Sequence, residues 1–351
     1  MKITNQLPVA ALALSGIGLL SINLHAGFVA FSIKGRNSRL GFRPDQPQSP
    51  GVGKLASSIR SSNLTVSQAK PLSADRTEPG FPRFYGESSP LIHGLSTCKS
   101  FVNSHPKGTR ILLAPAGLFN TGTNLLEDLL RLNCKTREGR PASIWQVPWG
   151  KHNPVEWRGM HFAPSSHNQN ISMVMPVMMI KDPFTWMKSM CRKPYAAHFM
   201  NEQKLNCPSP VHSSRTIVRW QEHDKKTWYP YRSLIHLWDT WNGAYLTMNT
   251  PRLIVRYEDL LFNPVKTMHQ ICSCIDAVPS GDSSFRMVTG SAKSGPGHGD
   301  GGSDRSTALA TYADFHKRME RYLPEDVHFI KESWNWNLTR RFHYHMIDLP
   351  D

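Results

Sequence analysis

The sequence predicts an α/β domain: a central parallel sheet covered by helices on both faces, in three layers. Two observations carry this expectation. Short apolar runs alternate with segments whose apolar residues recur at three- and four-residue spacing, the pattern of buried parallel strands joined by helices. The first such run, "RILLAP" at 110–115, enters a glycine-bearing turn, "GLFNTGTNLL" at 117–126, that opens directly onto a helical pattern. This is a P-loop-like strand–turn–helix entry, in which backbone N–H groups at a helix start can hold an anion.

The elements follow in order. "NLLEDLLRLN" (124–133) has helical spacing through Leu125, Leu126, Leu129, Leu130 and Leu132. "SIWQVP" (143–148) reads as a second strand, and "ISMVMPVMMI" (171–180) as a strand buried on both faces. Pro183 suits the first turn of a helix running to Arg192. In 231–249 the apolar residues Leu234, Leu237, Trp238, Trp241 and Tyr245 mark another helix. "PRLIVRY" (251–257) is a further buried strand, and Pro264 opens the next helix. Residues 279–305 form a long Gly/Ser loop, of a length that is usually functional or disordered. Residues 310–334 close the domain with two helices, and no internal repeat is visible.

Two segments precede this domain, which spans 106–351. Between Lys2 and Lys34 no residue is charged, a stretch long enough to cross a bilayer. Neither alanine near its end makes a clean small-x-small cleavage site, since Leu24 precedes Ala26 and Phe28 precedes Ala30. Residues 1–33 are therefore expected to be a membrane anchor or uncleaved signal. Residues 34–105, rich in Ser, Pro, Gly and Arg, read as a disordered stem. Lys34, Arg36, Arg39 and Arg43 follow the anchor and favour a cytoplasmic domain by the positive-inside rule. Three N-glycosylation acceptors, Asn63-Leu-Thr65, Asn170-Ile-Ser172 and Asn337-Leu-Thr339, favour the lumen instead. An Arg- and Ser-rich, acid-poor tract after a signal also fits bipartite plastid targeting.

The chain of 351 residues has 41 Lys and Arg against 26 Asp and Glu, a formal charge of +15. That balance suits an anionic ligand, polymer or membrane surface. No RNP, zinc-finger or basic-zipper signature points to nucleic acid. Six cysteines permit three disulfides, with buried free thiols as the alternative; Cys272-Ser-Cys274 lacks the second pair of a zinc site.

Candidate chemistry gathers at the strand ends, where ligands sit in open α/β sheets. Gly117 and Gly122 permit a tight cradle, and Thr123 and Asn124 add side-chain donors. No lysine follows the second glycine, which makes a nucleoside triphosphatase or kinase the weaker reading of this loop. "KDPFTWMKS" puts Lys181 at the end of the most apolar run and Ser189 eight residues later, on the next helix. A cation and a hydroxyl so spaced can clamp one phosphate.

With these residues the chain resembles the sulfotransferases that use 3′-phosphoadenosine 5′-phosphosulfate (PAPS). "NTGTNLL" is similar to the family's 5′-phosphosulfate loop. "KDPFTWMKS" is similar to its strand end with a serine that shares the 3′-phosphate, with Lys181 for arginine. "LIVRYEDLLFNP" (253–264) resembles its Arg-Tyr-Glu-Asp-Leu strand end. The resemblance spans roughly 110–335. It implies PAPS as co-substrate, no metal, and cofactor contacts from Asn120, Thr121, Gly122, Thr123, Asn124, Lys181 and Ser189. The implied reaction moves a sulfuryl group to a hydroxyl or amine, with a carbohydrate as the expected acceptor. Anchor and sequons imply a Golgi membrane protein with a lumenal catalytic domain.

One position departs from the family. Asn120 stands where a lysine or arginine normally reaches the bridging oxygen as sulfate leaves, and loss of that charge matters to the rate. The replacement is sought in "VPWGKHNPVEWR" (147–158): Lys151 for the charge, His152 or Glu156 for the base, with histidine better matched near neutral pH. Two rivals stand beside this reading. A non-catalytic binder with the same fold fits Asn120. An anchored glycosyltransferase fits the anchor and stem, but the chain lacks an Asp-x-Asp metal motif.

Overall fold

The computed structural model describes residues 69–71, 80–86, 90–159, 170–199, 218–221, 228–288 and 304–345. The expected anchor, most of the stem, the Asn63 sequon and Cys207 lie outside these residues, as do much of 193–230 and of the Gly/Ser loop. Among the described residues no helix is long and apolar enough to cross a membrane.

The central sheet has four strands: β1 (Ile92–His93), β2 (Leu112–Gly117), β3 (Val174–Ile180) and β4 (Leu253–Arg256). Their order is β1-β4-β3-β2. β2, β3 and β4 are parallel, and β1 runs antiparallel along the outer side of β4. The sheet is thus mixed rather than wholly parallel, because a segment preceding the first crossover returns to cap the β4 edge.

Every residue of β2, β3 and β4 is buried, as near-continuous apolar strands require when both faces are covered, with Arg256 at the end of β4 the one charged residue among them. Alternation sends Leu112, Ala114, Ala116, Val174, Met178, Ile180 and Ile254 to one core. Leu113, Met175, Val177, Met179, Leu253 and Val255 go to the other. Helices α1 (Cys98–Asn103), α2 (Thr123–Asn133), α5 (Tyr257–Phe262) and α6 (Pro264–Ser273) supply the second core. The first is packed by α3 (Pro183–Arg192), α4 (Leu234–Thr247), α9 (Pro324–Ser333) and α10 (Trp336–Arg341). Two further helices, α7 (Arg305–Ala313) and α8 (Phe315–Met319), lead into α9.

Several expectations need correction. "SIWQVP" is not a strand: Ile144 makes one parallel bridge to Leu113, through Leu113 N–H to the Ser143 carbonyl and Trp145 N–H to the Leu113 carbonyl. Pro141 and Pro148 bound the run, and proline cannot donate to a ladder. Residues 171–173 form a 3-10 turn before β3. The C-terminal segment makes more than two helices, because Asp314 takes an extended backbone and caps α8 through Lys317 N–H. The stem ends earlier than its composition implied: Phe84, Tyr85, Ile92 and Phe101 are buried in the two cores.

Disulfides join Cys98 to Cys274 and Cys134 to Cys272, stapling α1 and the end of α2 to the end of α6. Cys191 is disulfide-bonded as well. The free-thiol alternative therefore fails for these five.

Candidate functional site

The parallel register pairs Gly117 with Met179 and Ile180 with Arg256, so the three parallel strands end at one edge. The turn 118–122 leaves that edge and feeds α2. Its glycines are required by space. A Cβ on Gly117 would meet Thr121 Oγ1 at 2.5 Å and the Met179 carbonyl at 3.1 Å. Gly122 has φ 86°, and a Cβ there would lie 2.4 Å from the Tyr257 ring. Asn120 is itself left-handed, with φ 64°, a conformation asparagine accepts more readily than a long side chain. Thr121 differs from expectation: its buried hydroxyl donates to the Leu118 carbonyl at 2.7 Å and so holds the turn. No side chain caps α2, whose first helical bond runs from Leu126 N–H to the Gly122 carbonyl at 3.0 Å. The preceding N–H groups, including those of Thr123 and Asn124, have no acceptor within the helix.

The predicted pairing of Lys181 and Ser189 is present. Lys181 is only 4% exposed, and its Nζ donates to Ser189 Oγ at 3.0 Å and to the Asn120 carbonyl at 3.3 Å. The ammonium lies over the rings of Tyr257 and Tyr312, 5.0 and 5.2 Å from their centroids. Trp238 Nε1 donates to the Lys181 carbonyl at 2.9 Å and fixes the backbone there. Ser189 Oγ also receives Arg192 Nη2 at 3.5 Å. Asn120 spends its amide on the end of α3: Nδ2 donates to the Lys193 carbonyl at 2.8 Å and the Ser189 carbonyl at 3.3 Å.

The loop after Val147 is latched to the same turn. Gly117 N–H donates to the Lys151 carbonyl at 2.8 Å, and His152 Nδ1 donates to the Gly117 carbonyl at 2.6 Å. That bond fixes the tautomer and makes Nε2 the basic nitrogen of His152. Its ring packs on Phe119, centroids 4.1 Å apart, and Phe119 stacks on Tyr195 at 4.8 Å. Lys151 takes another direction: Nζ donates to Asn124 Oδ1 at 2.8 Å and lies 3.7 Å from Glu127 Oε2, against α2. The cation beside Asn120 is Lys181. Glu156 sits exposed in the 3-10 turn Val155–Trp157.

Behind this edge lies a buried polar layer. Asp182 is held by Arg318 Nε at 2.9 Å and accepts Thr185 N–H at 3.0 Å, capping α3. Arg256 forms a two-pronged pair with Asp259, both contacts 2.8 Å. Glu258 accepts Asp182 N–H at 3.1 Å and the Tyr344 hydroxyl at 3.0 Å. Burial, with Asp182 nearby, pushes the Glu258 carboxyl up to about 7.

Sequence reasoning missed Arg192, Tyr257, Tyr312, Phe119 and Tyr195. Phe119 and Tyr257 stood inside the motifs already singled out. Tyr312 and Tyr195 carried no signal, since chain folding alone brings them here. Among the described residues no group of three His, Cys, Asp or Glu side chains could hold a metal ion. Compared with protein-family models, curated proteins and solved structures, the chain matches none.

Proposed function

We propose that this chain is a PAPS-dependent sulfotransferase with a P-loop-like phosphate cradle, acting on a hydroxyl or amine, most simply of a carbohydrate. The observation that supports the reading most is the meeting of Lys181 Nζ with Ser189 Oγ and with the carbonyl of Asn120. A cation and a hydroxyl from one strand–helix unit thereby stand beside an uncapped helix start from another, a set of donors suited to a phosphorylated nucleotide.

In the proposed reaction an acceptor oxygen or nitrogen attacks sulfur. The bond from sulfur to the bridging oxygen breaks, and adenosine 3′,5′-bisphosphate departs with the electron pair. The acceptor proton passes to His152 Nε2. Lys181 and Ser189 hold the 3′-phosphate in this reading, and Lys151, whose Nζ lies 2.8 Å from Asn124 Oδ1 in the first turn of α2, is the candidate to meet the charge that grows on the leaving oxygen. Lys151 orients Asn124. The rings of His152, Phe119 and Tyr195 stand together beside this turn, the kind of aromatic surface against which sugars pack. Disulfides at Cys98–Cys274 and Cys134–Cys272 favour an oxidising compartment such as the secretory lumen.

The test pairs calorimetric titration of adenosine 3′,5′-bisphosphate with turnover of radiolabelled PAPS. Binding and turnover that both weaken in Lys181→Ala support the reading. Equal affinity for adenosine 5′-phosphosulfate and PAPS overturns the assignment of the 3′-phosphate to this site. A second reading, a non-catalytic nucleotide binder, is favoured by one observation: the Asn120 amide is committed to the Lys193 carbonyl. Nucleotide binding without any turnover selects it.

A further inference from the structure

The Asn170 and Asn337 sequons share a pattern and an exposed asparagine, and differ in where the hydroxyl of the third residue goes. At Asn170 the local chain forms a side-chain turn. Asn170 Oδ1 accepts both Ser172 N–H at 3.0 Å and Ser172 Oγ–H at 2.8 Å. The hydroxyl of the +2 residue therefore already engages the carboxamide that must react, and Asn170 is exposed. Ser172 is fixed in turn by His105, whose ring nitrogens lie 2.8 and 3.1 Å from the Phe101 and Ser172 carbonyls. Beside the asparagine is a hollow of about 600 Å³ lined by Phe101, His105, Thr109, Arg158 and Met173. It offers an aromatic wall and polar groups to the first sugars of an attached chain.

Asn337 sits within α10, where residues two apart project about 200° from each other. Thr339 is 2% exposed, and its hydroxyl donates to the Asn335 and Trp336 carbonyls at 3.2 and 3.3 Å. Asn337 Oδ1 receives Arg341 Nε at 3.4 Å instead. The acceptor and its hydroxyl face different ways.

We infer that Asn170, and not Asn337, is a site of N-linked glycosylation, with the glycan seated over the hollow at the strand-entry edge of the sheet. In the step, Asn170 Nδ2 forms a bond to C1 of a lipid-pyrophosphate-linked oligosaccharide. The C1–oxygen bond breaks, the lipid pyrophosphate leaves with the electron pair, and Nδ2 loses one proton. The glycan stands at the start of β3 and Lys181 just past its end, about 23 Å along a seven-residue strand, so the two sites do not obstruct each other.

The experiment uses the full chain expressed in a eukaryotic secretory cell, with peptide mapping before and after an N-glycosidase that converts a glycosylated asparagine to aspartate. The expected result is conversion at Asn170 and none at Asn337. Asn170→Gln and Ser172→Ala each remove one glycan from the intact mass, Ser172→Thr keeps it, and Asn337→Gln changes nothing. Mapping on the parent chain separates Asn170 from the Asn63 sequon and needs no variant to fold. An unmodified Asn170 peptide, or a glycan on Asn337, overturns the inference. Adenosine bisphosphate titration of the same protein reads the nucleotide site separately, so failure of either proposal is visible without the other.

Discussion

Lys181 and Asp182 are neighbours in sequence, and the two sides of the sheet edge treat them differently. Lys181, itself only 4% exposed, reaches the Ser189 hydroxyl and the Asn120 carbonyl beside the turn that feeds α2. Asp182 turns inward to the guanidinium of Arg318, with 1% and 0% of the two side chains exposed. Arg256 and Asp259 repeat the inward arrangement one strand away. The lysine thus meets hydroxyl and carbonyl oxygens at the turn, whereas the aspartate is locked in a buried ion pair. A buried charge with a committed opposite charge is structural, because removing either partner strands the other in a medium that cannot solvate it.

That contrast can be broken most strongly from the inside. Arg318→Ala leaves Asp182 buried without its guanidinium and should cost about 3–5 kcal/mol of stability, read by urea unfolding. If the loss were under about 1 kcal/mol, the scale of an exposed pair, the inner layer would not be the anchor described. His152→Ala, on the outer side, should lower turnover of PAPS by about 10²–10⁴ with adenosine bisphosphate affinity retained. An unchanged rate would remove histidine from the proton step.

Lys181→Ala comes next. Adenosine bisphosphate binding should weaken by roughly 1.5–3 kcal/mol, the scale of a charge-assisted hydrogen bond, while the unfolding midpoint moves little. Asn120→Lys should restore turnover in the Lys151→Ala background, if the two positions serve one charge, and should leave the weakened nucleotide binding of Lys181→Ala uncorrected. Restored turnover in the Lys181→Ala background instead would move that role to Lys181.

A gentler probe is pH. The unfolded carboxyl of a glutamate titrates near ~4.3, whereas burial holds Glu258 up to about 7. The folded chain therefore binds more protons across that interval, and stability contributed by Glu258 falls as pH rises from about 4.3 to 7. Glu258→Gln should flatten this slope in thermal melts taken across the interval. A slope identical to the parent's would assign it to Asp239, which burial also raises to about 7. The smallest effect on stability is expected at Lys151, whose ion pair with the partly exposed Glu127 should be worth less than about 1 kcal/mol.

What the sequence determined by itself was local. Apolar runs fixed β2, β3 and most of β4, since a strand covered on both faces takes a polar residue only where a partner is waiting, as Asp259 is for Arg256. Pro183 and Pro264 set the starts of α3 and α6, because proline presets the first turn and has no N–H to lose. The eight-residue step from Lys181 to Ser189 was legible because a strand end and the helix that follows it have fixed geometry. Tertiary structure decided the rest. Only folding could bring the Tyr312 ring over Lys181, send Lys151 toward Glu127, and place His152 on the carbonyl of Gly117. It also decided which acid would be paired and which raised, and which of two sequons would show its hydroxyl. The reason is physical: the backbone rules that write strands and helices act over a few residues, whereas burial, charge pairing and side-chain direction are set by whatever the closed chain packs against them.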